Sequence, residues 1–115
     1  MENQEREIRT YETADGKVPF NNWLEKLRDR KGRAIIRNRI TRLQLGLFGD
    51  TKTVGNGVYE LRIDFGPGYR VYYGLDGDTI VLLLLGGDKS TQTKNIKTAI
   101  NYWSDYESEN NGEKS

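Results

Sequence analysis

The chain has 115 residues, of which 35% are hydrophobic and 30% are charged, and its formal net charge is +1. This length and balance predict one domain with a single modest core, and they leave no dominant charge on the protein as a whole. The absence of cysteine excludes disulfides and thiol chemistry, and the absence of histidine removes the usual general base and the commonest metal ligand.

Nothing in the sequence is typical of a targeting signal. The first ten residues, MENQEREIRT, are polar and do not resemble a signal peptide. The longest apolar run, TIVLLLL, is far too short to span a bilayer. We therefore expect a cytoplasmic protein that makes no membrane contact.

Charge is unevenly distributed along the chain. Residues 17–42 contain nine Lys or Arg against two acidic residues, Glu25 and Asp29, whereas residues 1–16 and the stretch after Tyr102 are net acidic. A block this basic is typical of a surface that binds a polyanion or an acidic partner. It is equally typical of solvated helix faces that contact nothing, and composition leaves both interpretations open.

The N-terminal half predicts one strand and two helices. EREIRTYET alternates polar and apolar residues, which indicates a strand over residues 5–13. Pro19 suits the first turn of a helix that we expect to end near Arg28, where DRKG breaks the pattern. A second helix is predicted from about Arg33 to Leu45. Its apolar stripe consists of Ile36, Ile40, Leu43 and Leu47.

The C-terminal half predicts a loop, three strands and a final helix. Residues 46–57 are rich in Gly and Thr and are interpreted as a long loop. VYELRID, YRVYYGL and TIVLLLL follow as strands, the last of them buried on both faces. GGDKST ends that strand, and a helix begins near Gln92. The predicted domain, residues 1–106, is α+β with the order β-α-α-β-β-β-α, and residues 107–115 are predicted to be a disordered tail.

Two arginines are predicted to lie side by side. If Leu61 and Val71 both face the core, their cross-strand pairing places Arg62 opposite Arg70 on the other face of the sheet. One interpretation is an anion site in which both guanidinium groups bind a phosphate. The other is an internal ladder in which Glu60 and Asp64 neutralise the arginines. We expect Arg70 to face outward.

Lys89 is a third candidate for the same site, because it directly follows the buried strand. Gly86 and Gly87 would allow a ligand to approach the backbone closely, and the N-terminus of the following helix would attract an anion. The alternative is that this segment serves only to begin the helix, with Ser90 or Thr91 as its cap.

Two segments carry a resemblance to a known group of proteins. The hairpin VYELRIDFGPGYRVYY and the segment LLGGDKSTQTKNIKTAINYW resemble toxins of the RelE/ParE superfamily, and within it the HigB-like, phage-derived addiction module killer branch. The resemblance covers residues 5–106. It implies a single RelE-like domain with a mostly antiparallel sheet packed against helices.

The resemblance also implies an activity. Many members are ribosome-dependent endoribonucleases that cleave translated mRNA, inhibit translation and are neutralised by a cognate antitoxin. The ribose 2′-hydroxyl attacks its own phosphate, so the resemblance implies no metal and no cofactor. The expected partners are the ribosome with its mRNA and an antitoxin of the helix-turn-helix DNA-binding type.

Site residues are implied position by position. Arg70 matches the strand arginine that contacts the scissile phosphate, and Arg62 and Lys89 match supporting basic positions. RNA or ribosome contacts would come from Lys26, Arg30, Arg33, Arg37 and Lys52. Glu60 stands where many ribonuclease members have lysine. The histidines used by other branches are absent, and the tyrosine that some members carry in the last helix has no match here, the nearby positions being Asn95 and Ile96. The general acid and base could be any of Glu60, Asp64, Tyr72 and Asp88.

Those departures keep two alternatives open. Members of the same superfamily that poison DNA gyrase act by binding and have no ribonuclease site. A degenerate toxin that acts only as a binding partner would also fit the sequence.

Overall fold

The structure is a computed structural model that describes residues 4–112, with side chains as far as Asn110. In chain order the elements are β1 (Glu7–Thr10), α1 (Pro19–Lys26), α2 (Arg30–Gln44), β2 (Thr51–Gly55), β3 (Val58–Ile63), β4 (Tyr69–Asp76), β5 (Ile80–Asp88), a 3₁₀ turn (Lys89–Thr91) and α3 (Gln92–Gly112). The predicted α+β class is confirmed. The predicted order was wrong in one respect, because four strands rather than three separate α2 from α3.

One five-stranded sheet organises the domain, with the strand order β1-β5-β4-β3-β2. β1 pairs parallel to β5, and the remaining pairs are antiparallel. Helices α1 and α2 pack on one face around Ile36, Leu61 and Val71, and α3 packs on the other around Tyr72 and Trp103. Because the sheet is covered on both faces, β5 is apolar throughout its centre, as predicted.

The additional strand, β2, lies within the segment predicted to be a loop. Its residues pair antiparallel with β3, and the two are joined by the dipeptide Asn56-Gly57. Both residues have positive φ, 54° and 86°, as the tightest two-residue hairpin turn requires. The Gly-rich composition was interpreted as a loop, although Asn-Gly before a strand is a strong hairpin signal.

Helix α2 begins at Arg30, earlier than the predicted start near Arg33, so the junction between α1 and α2 is shorter than predicted. Asp29 is the N-cap of α2, and its carboxylate accepts a hydrogen bond from the Gly32 backbone amide at 2.9 Å. The segment DRKG therefore begins a helix instead of breaking one. A Cβ at Gly32 would lie 2.8 Å from the Tyr69 ring, which explains a glycine inside the first turn.

Gly86 and Gly87 belong to β5, which extends three residues beyond its predicted end. A Cβ at Gly86 would lie 2.1 Å from the Trp23 ring, and one at Gly87 would lie 1.8 Å from the Asn95 amide nitrogen. These glycines therefore accommodate side chains of the protein itself. The prediction that they open the backbone to a ligand was wrong.

The last helix is longer than predicted. α3 continues to Gly112, so the tail predicted to be disordered from residue 107 is helical as far as that residue. Residues 113–115 of the predicted tail lie outside the described residues. Within residues 4–112, no helix is both long and apolar enough to cross a membrane.

Candidate functional site

Three predicted cations meet at one end of the sheet. Leu61 pairs with Val71, and Arg62 pairs with Arg70, as the alternation predicted. Arg62, Arg70 and Lys89 line a single cavity of about 160 Å³. The structure therefore brings together the three residues predicted to form the centre of the site.

The turn before β4 positions Lys89. Gly68 has a φ of +81°, and its carbonyl oxygen accepts a hydrogen bond from the Lys89 backbone amide at 3.1 Å. A Cβ on Gly68 would lie 3.0 Å from the Lys89 Cγ, so the aliphatic part of the lysine crosses directly over this glycine. Lys89 remains exposed, and its ammonium group is available to the cavity.

Arg70 is buried, which contradicts the expectation that it faces outward. Its side chain is 5% exposed, and its Nε lies 3.9 Å from Glu60 Oε1. Its Nη1 donates hydrogen bonds to the carbonyl oxygens of Gly68 and Tyr69, each at 3.1 Å. The interpretation in which Glu60 neutralises the arginines describes this pair correctly, although Arg70 still lines the cavity.

Glu60 is the centre of a buried polar network. Its Oε2 accepts hydrogen bonds from the Tyr72 hydroxyl at 3.0 Å and from Gln92 Nε2 at 2.8 Å. Its Oε1 lies 3.9 Å from the Nε atoms of both Arg62 and Arg70. Oε1 and the Arg70 Nε are buried without a hydrogen bond, so this charge pair is held slightly apart.

The candidate acids and bases differ in their surroundings. Burial, together with the hydrogen bond to Glu60, raises the pKa of Tyr72, so this phenol retains its proton. The Asp88 carboxylate accepts from the Ser90 backbone amide at 2.8 Å, so it caps the 3₁₀ turn in the place predicted for Ser90 or Thr91. Among the four candidates, Asp64 lines the cavity and is exposed.

Comparison with known proteins places the chain in a family. Residues 22–102 match the family described as "Phage derived protein Gp49-like (DUF891)". The chain belongs to the Gp49-like family. This family is one of the group of addiction module killer and RelE-like toxins. An uncharacterized protein of Haemophilus influenzae (strain ATCC 51907 / DSM 11121 / KW20 / Rd) is similar to it, with 55% identity over 82 residues, which are 71% of this chain and 83% of that protein.

In this Gp49-like protein, the residues predicted to bind RNA are divided between the two faces of the sheet. Lys26, Arg30 and Arg37 are exposed on the helices of the α1–α2 face. Arg33 is half-buried, and its guanidinium group donates to the Leu27 carbonyl oxygen. Lys52 pairs with Glu60 in the β2–β3 register, and directly opposed residues share a face, so Lys52 belongs to the α3 side.

Several residues of the site in this Gp49-like protein were not predicted. Gln92 reaches back from the first turn of α3 to bind Glu60, and Asp50 lines the cavity beside Asp64. A second cavity, of about 530 Å³, shares Lys89 and is also lined by Lys94 and Lys97. One signal was present in the sequence, since residues 89–104 contain three lysines and no acidic residue.

Proposed function

We propose that this protein is the toxin of a type II toxin–antitoxin system, with a RelE-like fold of the HigB-like branch, and that it cleaves mRNA on the ribosome without a metal. The observation that carries the proposal is the cavity lined by Arg62, Arg70 and Lys89. Three cationic side chains border a space of about 160 Å³, where they can form charge-assisted hydrogen bonds to a phosphate group. The Gp49-like family supports the same interpretation at the level of the toxin group.

The chemistry requires charge stabilisation above all. The ribose 2′-oxygen forms a bond to the adjacent phosphorus, the bond from phosphorus to the 5′-oxygen breaks, and a proton moves from the first oxygen to the second. Negative charge develops on the phosphate oxygens, where guanidinium and ammonium groups stabilise it. Arg62, with a side chain 39% exposed, and Lys89 are the accessible donors, while Arg70 acts from beneath them.

Asp64 is the candidate base within the protein. It lines the cavity and is exposed, so it can reach a bound ribose, whereas Glu60 is fully buried and engaged by Tyr72 and Gln92. The ribosome orients the substrate, which reduces what the protein itself must supply.

The basic helices α1 and α2 provide a second element of the proposal. Lys26, Arg30 and Arg37 are exposed and would contact ribosomal or messenger RNA through phosphates, with an affinity that falls as salt rises. The proposed antitoxin is a small helix-turn-helix protein that covers this surface or the cavity.

The first experiment is induced expression without antitoxin, followed by primer extension on translated messages. Wild type is compared with Arg62→Ala and Lys89→Ala, which alter accessible donors, and with Lys17→Ala, which removes an exposed cation away from the cavity. Cleavage within codons should fall about 10²-fold in the first two variants and persist in the control. Equal cleavage in all four proteins would refute a catalytic role for the cavity.

A second candidate function is supported by the burial of Arg70 and Glu60. A toxin that poisons DNA gyrase, or another partner bound without catalysis, does not need an accessible acid and base. Growth arrest with intact messages would favour that function. Purified protein would then be tested for inhibition of gyrase supercoiling.

A further inference from the structure

One face of the β3–β4 pair brings a carboxylate together with two cations and two neutral donors. Glu60 pairs with Tyr72, and Arg62 pairs with Arg70, in the register of these strands. Residues two apart on a strand share a face, so all four side chains point to the side on which Tyr72 packs against α3. Gln92, the first residue of α3, reaches the same carboxylate from above the sheet.

The two oxygens of the Glu60 carboxylate are used differently. Oε2 accepts hydrogen bonds from Gln92 Nε2 at 2.8 Å and from the Tyr72 hydroxyl at 3.0 Å. Oε1 lies 3.9 Å from the Nε atoms of both Arg62 and Arg70, which is beyond hydrogen-bond distance. The neutral donors therefore bind this carboxylate more closely than the two cations do.

A purely structural ion pair would have the opposite arrangement. Hydrogen bonds between a guanidinium group and a carboxylate form at about 2.7–2.9 Å and are roughly twice as strong as neutral ones. Glu60 Oε1 and Arg70 Nε are instead buried without a hydrogen bond to any residue that the structure describes. Because unpaired buried groups lower stability, a network that served the fold alone would close this distance.

Both members of the pair are restrained at their far ends. Arg70 Nη1 donates to the carbonyl oxygens of Gly68 and Tyr69, which holds the guanidinium group at the turn before β4. Glu60 is held by Tyr72, which is fully buried, and by Gln92, which is half-buried. Gln92 is therefore the restraint on Glu60 that can be changed without disturbing the core.

We propose that Gln92 is a positioning residue that keeps the Glu60 carboxylate away from the two arginines, so that their N–H donors remain available to a phosphodiester. Glu60 is close enough to offset the buried charge of Arg70 but too far away to accept from its Nε. Arg62 and Arg70 both line the cavity, where a phosphate oxygen would accept from the donors that Glu60 does not use. The inference rests on the proposed function, because that function identifies the ligand as a phosphodiester.

The test variant is Gln92→Met, which keeps the length of the side chain and removes its donor. The control is Gln44→Met, the same substitution at an exposed position on α2 outside the cavity. NMR spectra of the whole ¹⁵N-labelled protein record the arginine Nε–H signals before and during titration with dimethyl phosphate, a small phosphodiester. Arg62→Gln identifies the Arg62 signal by its loss.

We expect Glu60 to move toward the arginines in Gln92→Met. A new hydrogen bond should then shift the Nε–H signal of Arg62 or Arg70 downfield, and dimethyl phosphate should bind about tenfold more weakly. The control should match wild type in both measurements. The proposal is overturned if either change is missing or if wild type does not bind the probe. Weaker binding without a shifted signal would mean that Gln92 contacts the phosphate itself.

Thermal unfolding separates positioning from a merely structural role. The new contact between Glu60 and an arginine should keep the unfolding temperature of Gln92→Met within about 4 °C of that of wild type. A larger fall would show that the Gln92 hydrogen bond serves the fold, and the proposal would fail.

Primer extension on translated messages separates this inference from the proposed function. Cleavage should fall at least about tenfold in Gln92→Met, because the arginine donors are then engaged by Glu60. If wild type cleaves and Gln92→Met cleaves equally, the positioning role is refuted. If wild type does not cleave while both NMR changes are observed, the ribonuclease proposal fails and the positioning role stands.

Discussion

Replacing Glu60 by glutamine should destabilise the fold strongly. The side chain keeps its shape and its acceptor for the Tyr72 hydroxyl, so the change removes chiefly the negative charge. Arg70, whose side chain is 5% exposed, then keeps a buried charge with no carboxylate beside it, and Arg62 is directly opposite. Breaking a buried ion pair from one side costs about 3–5 kcal/mol.

That loss is a large part of the stability of a small domain, which is on the order of 5–15 kcal/mol. At about 4 °C per kcal/mol, the unfolding temperature should fall by about 12–20 °C. Urea unfolding followed by the fluorescence of Trp23 and Trp103 measures the free energy directly, since both rings pack against the sheet.

Arg62→Gln provides the matched comparison. Arg62 lies at the same 3.9 Å from Glu60 Oε1, but its side chain is 39% exposed, so its loss should cost less than about 1 kcal/mol. If Glu60→Gln cost no more than Arg62→Gln, the Arg70 charge would be stabilised by something other than Glu60. Glu60 would then not be the group that neutralises the buried Arg70 guanidinium.

Two other predictions concern close packing and pH. Gly86→Ala should lower the free energy of unfolding by about 1–3 kcal/mol, because the added Cβ would overlap the Trp23 ring. Gly77→Asn is the control: no atom lies within 4 Å of a Cβ at this position, so the urea midpoint should change little. Burial and the hydrogen bond to Asp29 raise the pKa of Tyr69 to about 12, so its contribution to stability is complete below pH 10 and is lost as pH rises toward 12. A backbone amide and the Tyr69 hydroxyl lower the pKa of Asp29, so its contribution is complete above about pH 3.8 and is lost as pH falls further. Unfolding temperatures measured across both ranges should show two declines. Tyr69→Phe should reduce the alkaline decline without abolishing it, because the pKa of the buried Tyr72 is raised as well. An alkaline decline unchanged in Tyr69→Phe would contradict the assignment.

Strand register was the most predictable part of the site. Alternation around Leu61 and Val71 was sufficient to place Arg62 opposite Arg70, because side chains in a strand follow a strict period of two. The same pattern could not show what covers that face. Gln92 reaches Glu60 only after α3 has packed on the sheet, so the enclosure of this face depends on a tertiary contact between residues distant in sequence.

Local composition led to a wrong prediction at two glycine-rich places. Residues 46–57 have a loop-like composition, but the Asn56-Gly57 turn allows Thr51–Gly55 to pair with β3. At Gly86, an absent side chain is compatible either with a ligand or with a neighbouring ring, and the sequence does not distinguish them. Trp23, 63 positions earlier in the chain, occupies that space.

The strand order has a consequence for self-association. β1 and β2 form the two edges of the sheet, and each would otherwise present unpaired backbone groups to another copy of the chain. β1 has only four residues, and its Glu7 and Arg9 are charged and exposed, while β2 carries Lys52 and a register irregularity between Thr53 and Gly55. Short, charged or bulged edges pair poorly with additional strands. The two edges of this sheet therefore disfavour pairing with the sheet of another copy of the chain.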